Sequence, residues 1–520
     1  MGNGLTGLDG IVVSAYLAAI VVMSFLFARR QRTGDDYFLA GRRVGGVPLA
    51  MSILGNQASA VSLVGAPAFV ALRAGGGLRW LQYELALPLA MLLLIALLLP
   101  AIRSVPGSSI YVYAERRFDR RTRKAVAAAF LLSRGLSLGV ILYASSLVVA
   151  QALVWPVDAA LIAIGLFSVA YTSLGGIVAD IWSDVIQLVL LWGGTFVSAW
   201  YLLDHAGPAV LDAIPTDRAT VLVTDSLGVA GGDSFALWPM LFGGIFLYLS
   251  YYGCDQSQAQ RLLAARSTRE ARRALVLNGL LRFPLVLTYC GFGLLLAGLL
   301  QVDATFASVM RNQPPDALVP AFMMRYLPAG LRGLLLAAVL AAAMSSIDSA
   351  LNSLAAVTLE DALDRPSATQ SVWLSRGTSL SWGLFAIGSG MVFARSGTHV
   401  LELINQVGSV FYGPVLGVFL LGALTRSVDG RAALRGLAVG LAVNVFLARF
   451  APGVSWLWWN PAGFLTTTLV GLAPGGWKPA WAPVSWRGSE GALLGAAFVV
   501  MLISLAVVPA ALGALVLENP

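Results

Sequence analysis

Long apolar runs separated by short polar segments extend along the whole chain. Many of them approach or exceed the about 20 residues that a helix needs to cross the hydrocarbon core of a bilayer. Since a segment in lipid must satisfy its own backbone hydrogen bonds, the runs predict helices, and we count 14 of them. We therefore expect an all-α polytopic membrane protein with a single transmembrane domain, residues 1–520.

Polar and small residues interrupt three of the predicted helices, at 55–59, 248–256 and 341–353. A helix interior in lipid tolerates such interruptions where unwound backbone lines a cavity. The first two lie in the second and seventh runs, five crossings apart, so the two helices cross in opposite directions. This pattern is typical of transporters built from inverted repeats, whose broken helices bind substrate and ions near the bilayer midplane.

The interruption pattern divides the predicted transmembrane domain into two core repeats and a periphery. The predicted first repeat is 45–203, the second is 236–423, and peripheral helices occupy 7–28 and 431–514. The two halves share no clear residue-by-residue repeat, so this symmetry depends on the positions of the interruptions.

Composition and charge support the membrane assignment. Hydrophobic residues make up 58% of the chain and charged residues 12%, with a mean hydropathy of +0.80, whereas soluble domains carry about 25% charged residues. The net charge of +8 does not indicate nucleic acid, because the Lys and Arg residues cluster in short loops. By the positive-inside rule we expect both termini to be periplasmic in a bacterial inner membrane. Expected partners are the lipid bilayer, a small solute and ions, with no protein partner evident.

One face of the ninth predicted helix carries small and hydroxyl residues at helical spacing: Ala342, Ser345, Ser346 and Ser349. A helix break in the second run offers the carbonyl oxygens of Gly55 and Ala58. Together these oxygens suit a dehydrated sodium ion. The alternative is that the small residues let two helices pack closely, which is common in membranes.

Two carboxylates are candidates for cation binding. Asp348 lies within an apolar run, where an ionisable residue is a functional hypothesis by default. Asp184 either faces a cavity and attracts a cation, or caps a helix end near the cytoplasmic face. If burial neutralises Asp184 or Asp348, a proton becomes the coupled or competing ion.

Arg134 lies about ten residues into the fourth predicted helix. Guanidinium matches a carboxylate bidentately, so Arg134 is a candidate contact for an anionic solute. The alternatives are a structural ion pair or a side chain that snorkels to the cytoplasm, and for Arg282 the structural pair is favoured. Gln82 and Gln406 are candidate amide contacts, although amides also satisfy helix breaks.

Four blocks resemble the signatures of the sodium:solute symporter family. The longest is 171–187, YTSLGGIVADIWSDVIQ, and the second is 255–261, DQSQAQR. The others are 330–353, which contains GLRGL, AAAMSS and LNS, and 413–422, GPVLGVFLLG. These blocks extend the resemblance over about 45–450, and the length and specificity of the first identify the chain as a member of the family.

The resemblance implies a leucine-transporter-like fold of ten core helices in a 5+5 inverted repeat, with additional peripheral helices and coupling to sodium. Matched onto this chain, the family's sodium site would use the carbonyls of Gly55, Ala58 and Ala342 and the hydroxyls of Ser345 and Ser346. Members with a second sodium site resemble this chain at Asp184 and Ser349. The chain departs from them at Asp348, where serine or another small residue often stands.

The resemblance also implies where the solute binds, between the two broken helices. The candidate residues there are Gln57, Ser59, Ser62, Tyr248 and Tyr251, with Tyr251 a candidate inner gate. Sugar-transporting relatives usually carry Gln at the position of Ser62 and Asn at that of Tyr248, which disfavours a hexose. The run 59–67 is similar to the branch that contains monocarboxylate, iodide, vitamin and sialic acid transporters.

The favoured function is a sodium-coupled symporter that imports a small polar organic anion by alternating access. The alternatives are a proton-coupled carrier that uses Asp184 and Asp348, or a transporter-like membrane sensor, although the chain has no kinase-like domain. An enzyme is disfavoured because the only histidines, His205 and His399, lie near predicted external ends and form no metal or nucleophile arrangement.

Overall fold

The computed structural model describes residues 5–28, 39–58, 60–105, 107, 109–172, 177–365, 372–479 and 488–517. Helices account for almost all of these ranges, as the continuous apolar runs predict. Isolated backbone bridges join Val44 to Ala265 and Thr425 to Pro479. Most helices bury side chains on several faces, because neighbouring helices surround them.

The first half of the chain contributes ten helices. The long ones are α1 (Gly7–Ala28), α2 (Gly46–Gln57), α3 (Ala60–Leu72), α4 (Gly77–Arg103, including a π turn at Leu94–Leu98), α6 (Arg120–Leu153), α7 (Val157–Thr172) and α8 (Ile177–Ala206). The short ones are α5 (Val112–Arg117), α9 (Ala209–Asp212) and α10 (Thr216–Ala219).

The second half contributes eleven helices. They are α11 (Gly244–Cys254), α12 (Gln256–Ala264), α13 (Thr268–Val302), α14 (Ala304–Met310), α15 (Leu318–Tyr326), α16 (Leu331–Val357), α17 (Val372–Phe393), α18 (Val400–Leu424), α19 (Gly430–Phe450), α20 (Trp459–Leu472) and α21 (Gly488–Leu517). Single π turns precede α11 at Pro239–Gly243 and follow α16 at Thr358–Ala362.

Two of the three predicted interruptions are confirmed as helix breaks. The axes of α2 and α3 differ by 56°, and Ala58 between them has a non-helical ψ of 67°. Asp255 separates α11 from α12 with a ψ of 127°, and its carboxylate accepts a 2.8 Å hydrogen bond from the Ser257 backbone N–H. This N-cap stabilises the restart of the helix after the break.

The prediction of an interruption at 341–353 is wrong, because α16 continues through this segment. The segment contains neither Gly nor Pro, and Ala and Met favour a helix. Its serines are buried on the continuous helix, where Ser345 and Ser346 donate hydrogen bonds to groups on other helices.

The two broken pairs lie among long unbroken helices. Helix α2 packs on α8 and α13, and α3 packs on α13. Helix α11 packs on α4 and α18, while α16 contacts both α6 and α8. The breaks are thus enclosed by protein, which is the condition for non-helical backbone at membrane depth. Helix α1 packs outside this group on α16, and α21 packs on α4 and α13.

Seven of the described helices are long and apolar enough to cross a membrane, and up to eight if the bent pair α2 and α3 forms one crossing. The seven are Gly77–Arg103, Arg120–Leu153, Asp180–Ala206, Thr268–Val302, Leu331–Ala362, Val400–Leu424 and Gly430–Phe450. The other predicted crossings fall on shorter, broken or incompletely described helices. The count of 14 crossings is therefore not confirmed and stays a prediction.

Candidate functional site

The end of α2 forms one side of the predicted sodium site. The last carbonyl groups of a helix lack helical partners and carry the negative end of its dipole. The backbone leaves the helix at Ala58, so this end points into the protein interior between α3, α8 and α16. The Ser346 hydroxyl of α16 lies 3.5 Å from the Asn56 carbonyl oxygen, as a donor to it. The end of α2 and the serine face of α16 are therefore in contact, as predicted.

A carboxylate adjoins the same place. The Ser345 hydroxyl donates a short hydrogen bond to Asp184 on α8. Gly55 allows the close approach of α2 and α8, because a Cβ there would lie 2.7 Å from the backbone oxygen of Asp184. Asp184 is fully buried, with Ser345 and Ser346 at most 1% exposed.

The donor set fits an alkali cation. Ala58 and Ala342 are also buried, and every predicted ligand atom is a carbonyl or hydroxyl oxygen. Oxygen ligands suit hard cations, and unwound carbonyls at the C-terminal end of a half-helix coordinate sodium in other transporters. The residues Gly55, Ala58, Ala342, Ser345 and Ser346 are those that would hold sodium, which would supply positive charge at the end of α2.

Arg261 of α12 lies beside this cluster and is 1% exposed. Its Nη2 donates to Asp184 at 2.7 Å and to Asp180 at 3.0 Å. Its Nη1 donates to the Ser349 hydroxyl at 3.0 Å. Two residues of the possible second sodium site, Asp184 and Ser349, are thus bound to a guanidinium. Arg261 belongs to the DQSQAQR block, but its position in that motif does not indicate this set of partners.

Asp348 has a different environment. It is half-buried on α16 and interacts electrostatically with Tyr16 of the outer helix α1. At least part of its surroundings is therefore α1. Its assignment to a second sodium site stays a prediction.

A cavity of about 90 Å³ opens beside the sodium candidates, between the two broken helix pairs. This volume is enough for several water molecules or a small organic solute. Five of the predicted solute contacts line it: Gln57, Ser62, Arg134, Tyr248 and Tyr251. Ser59 lies outside the described residues.

The two flanking glutamines are not brought to this cavity. Gln82 donates to the Phe235 carbonyl at 2.9 Å and accepts from the Val223 N–H at 3.0 Å, so its amide holds the loop before α11. Gln406 is half-buried on α18 and is not among the residues that line the cavity. Asn56 and Asn405 supply the amides there that the sequence analysis missed.

Arg134 projects from α6 into the cavity and is 5% exposed. Its Nε and one Nη have no hydrogen-bond partner among the described residues. Asp255, Tyr251 and Tyr412 interact electrostatically with the guanidinium, and the Tyr251 hydroxyl also hydrogen-bonds to it. Buried donors are normally satisfied, and unsatisfied ones call for an explanation such as a bound ligand.

A second arginine in the cavity wall is paired. Arg282 of α13 forms a salt bridge with Glu84 of α4, with 3.3 Å between Nε and Oε2. Glu84 is fully buried, and it also accepts a 3.0 Å hydrogen bond from the Tyr248 hydroxyl. The structural pair favoured for Arg282 is confirmed. Glu84 itself was missed, although a carboxylate within an apolar run is a usable signal.

Tyrosines form the cavity floor toward α12. The Tyr251 hydroxyl accepts a 2.9 Å hydrogen bond from the Gln258 amide, and its ring lies 6.2 Å from that of Tyr412. Tyr412 also borders a second, smaller cavity of about 20 Å³ that contains Asp255. Tyr412 therefore forms a shared wall between the two cavities.

Comparison with known proteins agrees with this geometry. The model of the sodium:solute symporter family matches residues 37–440. The human sodium/iodide cotransporter is 29% identical over 427 residues, which cover 80% of this chain but only 65% of that longer protein. The sodium/sialic acid symporter NanT of Aliivibrio fischeri is 27% identical over 480 residues, or 89% of this chain and 92% of that one.

Solved structures show the fold. A Na+-coupled sialic acid symporter in a substrate-bound outward-open state superposes with a TM-score of 0.78 at 24% identity, covering 92% of this chain and 99% of that one. A nucleobase-cation-symport-1 family transporter superposes with a TM-score of 0.54 at 14% identity, covering 83% and 92%. The predicted class of helical transporter fold is thereby confirmed.

Proposed function

Because this chain belongs to the sodium:solute symporter family, we propose that it imports a small organic anion together with sodium. The inferred location is a bacterial inner membrane, with both termini on the periplasmic side. Sodium would bind the carbonyls of Gly55, Ala58 and Ala342 and the hydroxyls of Ser345 and Ser346. The solute would occupy the cavity between the broken helix pairs.

The single observation that supports an anionic solute is the environment of Arg134. Two of its buried nitrogen atoms have no hydrogen-bond partner among the described residues, and they belong to a side chain that lines the cavity. A carboxylate would satisfy both with charge-assisted hydrogen bonds. Relatives named for sialic acid, monocarboxylate and iodide transport carry anions, which is consistent with this choice.

Coupling follows from the position of the sodium site at the end of α2. Sodium there would fix α2 against α16 and stabilise the outward-open state, in which the solute cavity is accessible from outside. A ligand that binds one conformation better than another shifts the population toward it. By linkage, the solute must in turn raise the affinity for sodium.

Thermal-shift screening of the purified protein tests this proposal. The panel contains carboxylates, sialic acids, sugars and amino acids, each in sodium and in potassium buffer. We expect an anion to stabilise the protein in sodium buffer, and the same anion to be taken up by proteoliposomes along a sodium gradient. Stabilisation by a neutral sugar alone would contradict the proposal.

The double variant S345A/S346A tests the ion site. Removal of both hydroxyls takes away two of the five proposed ligands, so we expect loss of sodium-stimulated uptake with expression intact. The measurement is initial uptake rate against sodium concentration. Retained sodium dependence would exclude these serines as ligands.

A proton-coupled carrier is the second candidate. The observation that favours it is the buried Asp184 and the partly buried Asp180, which share the Arg261 guanidinium. In that case a pH gradient would drive uptake without sodium. Uptake that requires sodium at a uniform pH would decide for the first proposal.

A further inference from the structure

The charges around the solute cavity are unequal in number. Arg134 and Arg282 both line it, and no Asp or Glu is among the described residues that do so. One carboxylate, Glu84, lies directly behind the wall and pairs with Arg282. Arg134 forms no ion pair within 4 Å among the described residues, and Asp255, which lines the smaller cavity behind Tyr412, acts on it electrostatically. Arg282 is thus the cavity arginine that has a directly paired carboxylate.

We propose that Glu84 is a specificity-determining residue that limits the solute to one negative charge. This inference rests on the proposed function, namely that the cavity accepts an anion. With Glu84 ionised, Arg282 already has its counter-charge and offers none to the solute. A second carboxylate on the solute would then enter a buried site without a partner, which is strongly unfavourable.

The geometry explains why Glu84 can act in this way without touching the solute. It is fully buried, whereas the Arg282 side chain retains 10% exposure. The Tyr248 hydroxyl, on a residue that lines the cavity, donates to Glu84 and stands between this carboxylate and the cavity space. Glu84 therefore sets the charge of the wall, while Arg282 and Tyr248 form its surface.

The variant E84Q keeps the shape of the side chain and removes its charge. Arg282 then becomes a second cationic group in the cavity wall. We expect the affinity for a dianion to rise relative to that for a monoanion of the same carbon skeleton. Suitable probes are succinate and butyrate at equal ionic strength in sodium buffer, with binding followed by fluorescence, since Trp80 lines the cavity.

The readout is the ratio of the butyrate dissociation constant to that of succinate. In E84Q we expect this ratio to increase by at least about tenfold, or about 1.4 kcal/mol. The double variant E84Q/R282Q removes both members of the pair and should return the ratio to the native value. The matched control is E402Q, which removes a carboxylate paired with Arg73 outside the cavity wall.

Should E84Q fail to fold, R282Q and the double variant give the same test. R282Q leaves Glu84 without its cation, so butyrate should bind at least about tenfold more weakly, and the added E84Q change should restore butyrate binding. A purely structural role for the pair predicts no such restoration.

The outcomes separate this inference from the proposed function. An unchanged ratio in a folded E84Q protein that still binds butyrate overturns the role of Glu84 alone, as does an equal change in E402Q. A native protein that binds no anion of the thermal-shift panel in sodium buffer overturns both the charge limit and the proposed anion.

Discussion

Arg134 combines deep burial, a place in the cavity wall and two nitrogen atoms without a hydrogen-bond partner among the described residues. Its helix, α6, packs on α16 and α18, so the guanidinium is held inside the protein at the cavity wall. The desolvation free energy of burying these donors is offset when a hydrogen-bond acceptor, such as a solute carboxylate, binds to them. We therefore expect Arg134 to bind the solute and to contribute little to the stability of the fold.

The variant R134Q should therefore lose solute affinity while keeping the fold. Truncating one partner of a buried charge pair costs about 2–5 kcal/mol, so we expect at least about thirtyfold weaker binding. R134K, which keeps the charge without the planar fork, should be intermediate. The measurement is the dissociation constant of the anion found by thermal-shift screening, in sodium buffer.

The control for Arg134 is R395Q, which removes an arginine whose side chain is 69% exposed and pairs with Asp158. Exposed ion pairs contribute little, so R395Q should bind the solute as the native protein does. Native affinity in R134Q would mean that the solute does not use this guanidinium.

At the scale of elements, the contact between α2 and α8 would position the proposed sodium ligands. Gly55 of α2 faces the Asp184 backbone so closely that any Cβ must displace one helix. The variant G55A should separate α2 from α8 and move the carbonyl end of α2 away from Ser345 and Ser346. We expect about a tenfold higher half-saturating sodium concentration, equivalent to about 1.4 kcal/mol, measured as sodium-dependent uptake.

The matched control is G193A in α8, where an added Cβ would meet nothing within 4 Å. Alanine there improves helix propensity and should leave the sodium response unchanged. If G55A and G193A show the same sodium dependence, close packing of α2 on α8 is not what holds the ligands in place.

The helix breaks show how much of the fold can be predicted from the sequence alone. The breaks after Gln57 and at Asp255 were predictable, because small and polar residues interrupt apolar runs there. The segment 341–353 has a similar composition but stays helical, since its hydroxyls bond to other helices. Polarity alone therefore does not distinguish a break from a helix face that meets a polar site.

Long-range pairing sets the other limit of prediction. Glu84 and Arg282 are 198 residues apart, and nothing in either local segment indicates the partner. Gln82 was predicted as a solute contact, yet a loop that follows much later in the chain satisfies its amide. Arg134, Gln57 and Ser62 line the cavity, and motif position and helix depth were enough to single them out, while their contact with the solute stays a prediction.

At the scale of the whole molecule, the proposed alternating access would require the smaller cavity, which we expect on the cytoplasmic side and call the inner cavity, to open when the solute cavity closes. Cys254 borders this inner cavity, together with Asp255 and Tyr412. Cys290, the only other cysteine of the chain, borders neither cavity. In a C290A background, Cys254 is thus the single thiol that reports inward opening.

We expect a maleimide to label Cys254 in potassium buffer and sodium to slow this labelling by about tenfold or more, because sodium shifts the population toward the outward-open state. The C254A variant, which retains Cys290, should label slowly in both buffers. Combining C290A with S345A/S346A should abolish the protection by sodium and leave the rate in potassium unchanged. If sodium still protects Cys254 in the variant without these two hydroxyls, the coupling ion binds elsewhere. If sodium never changes the labelling rate of Cys254, opening of the inner cavity is not linked to sodium binding.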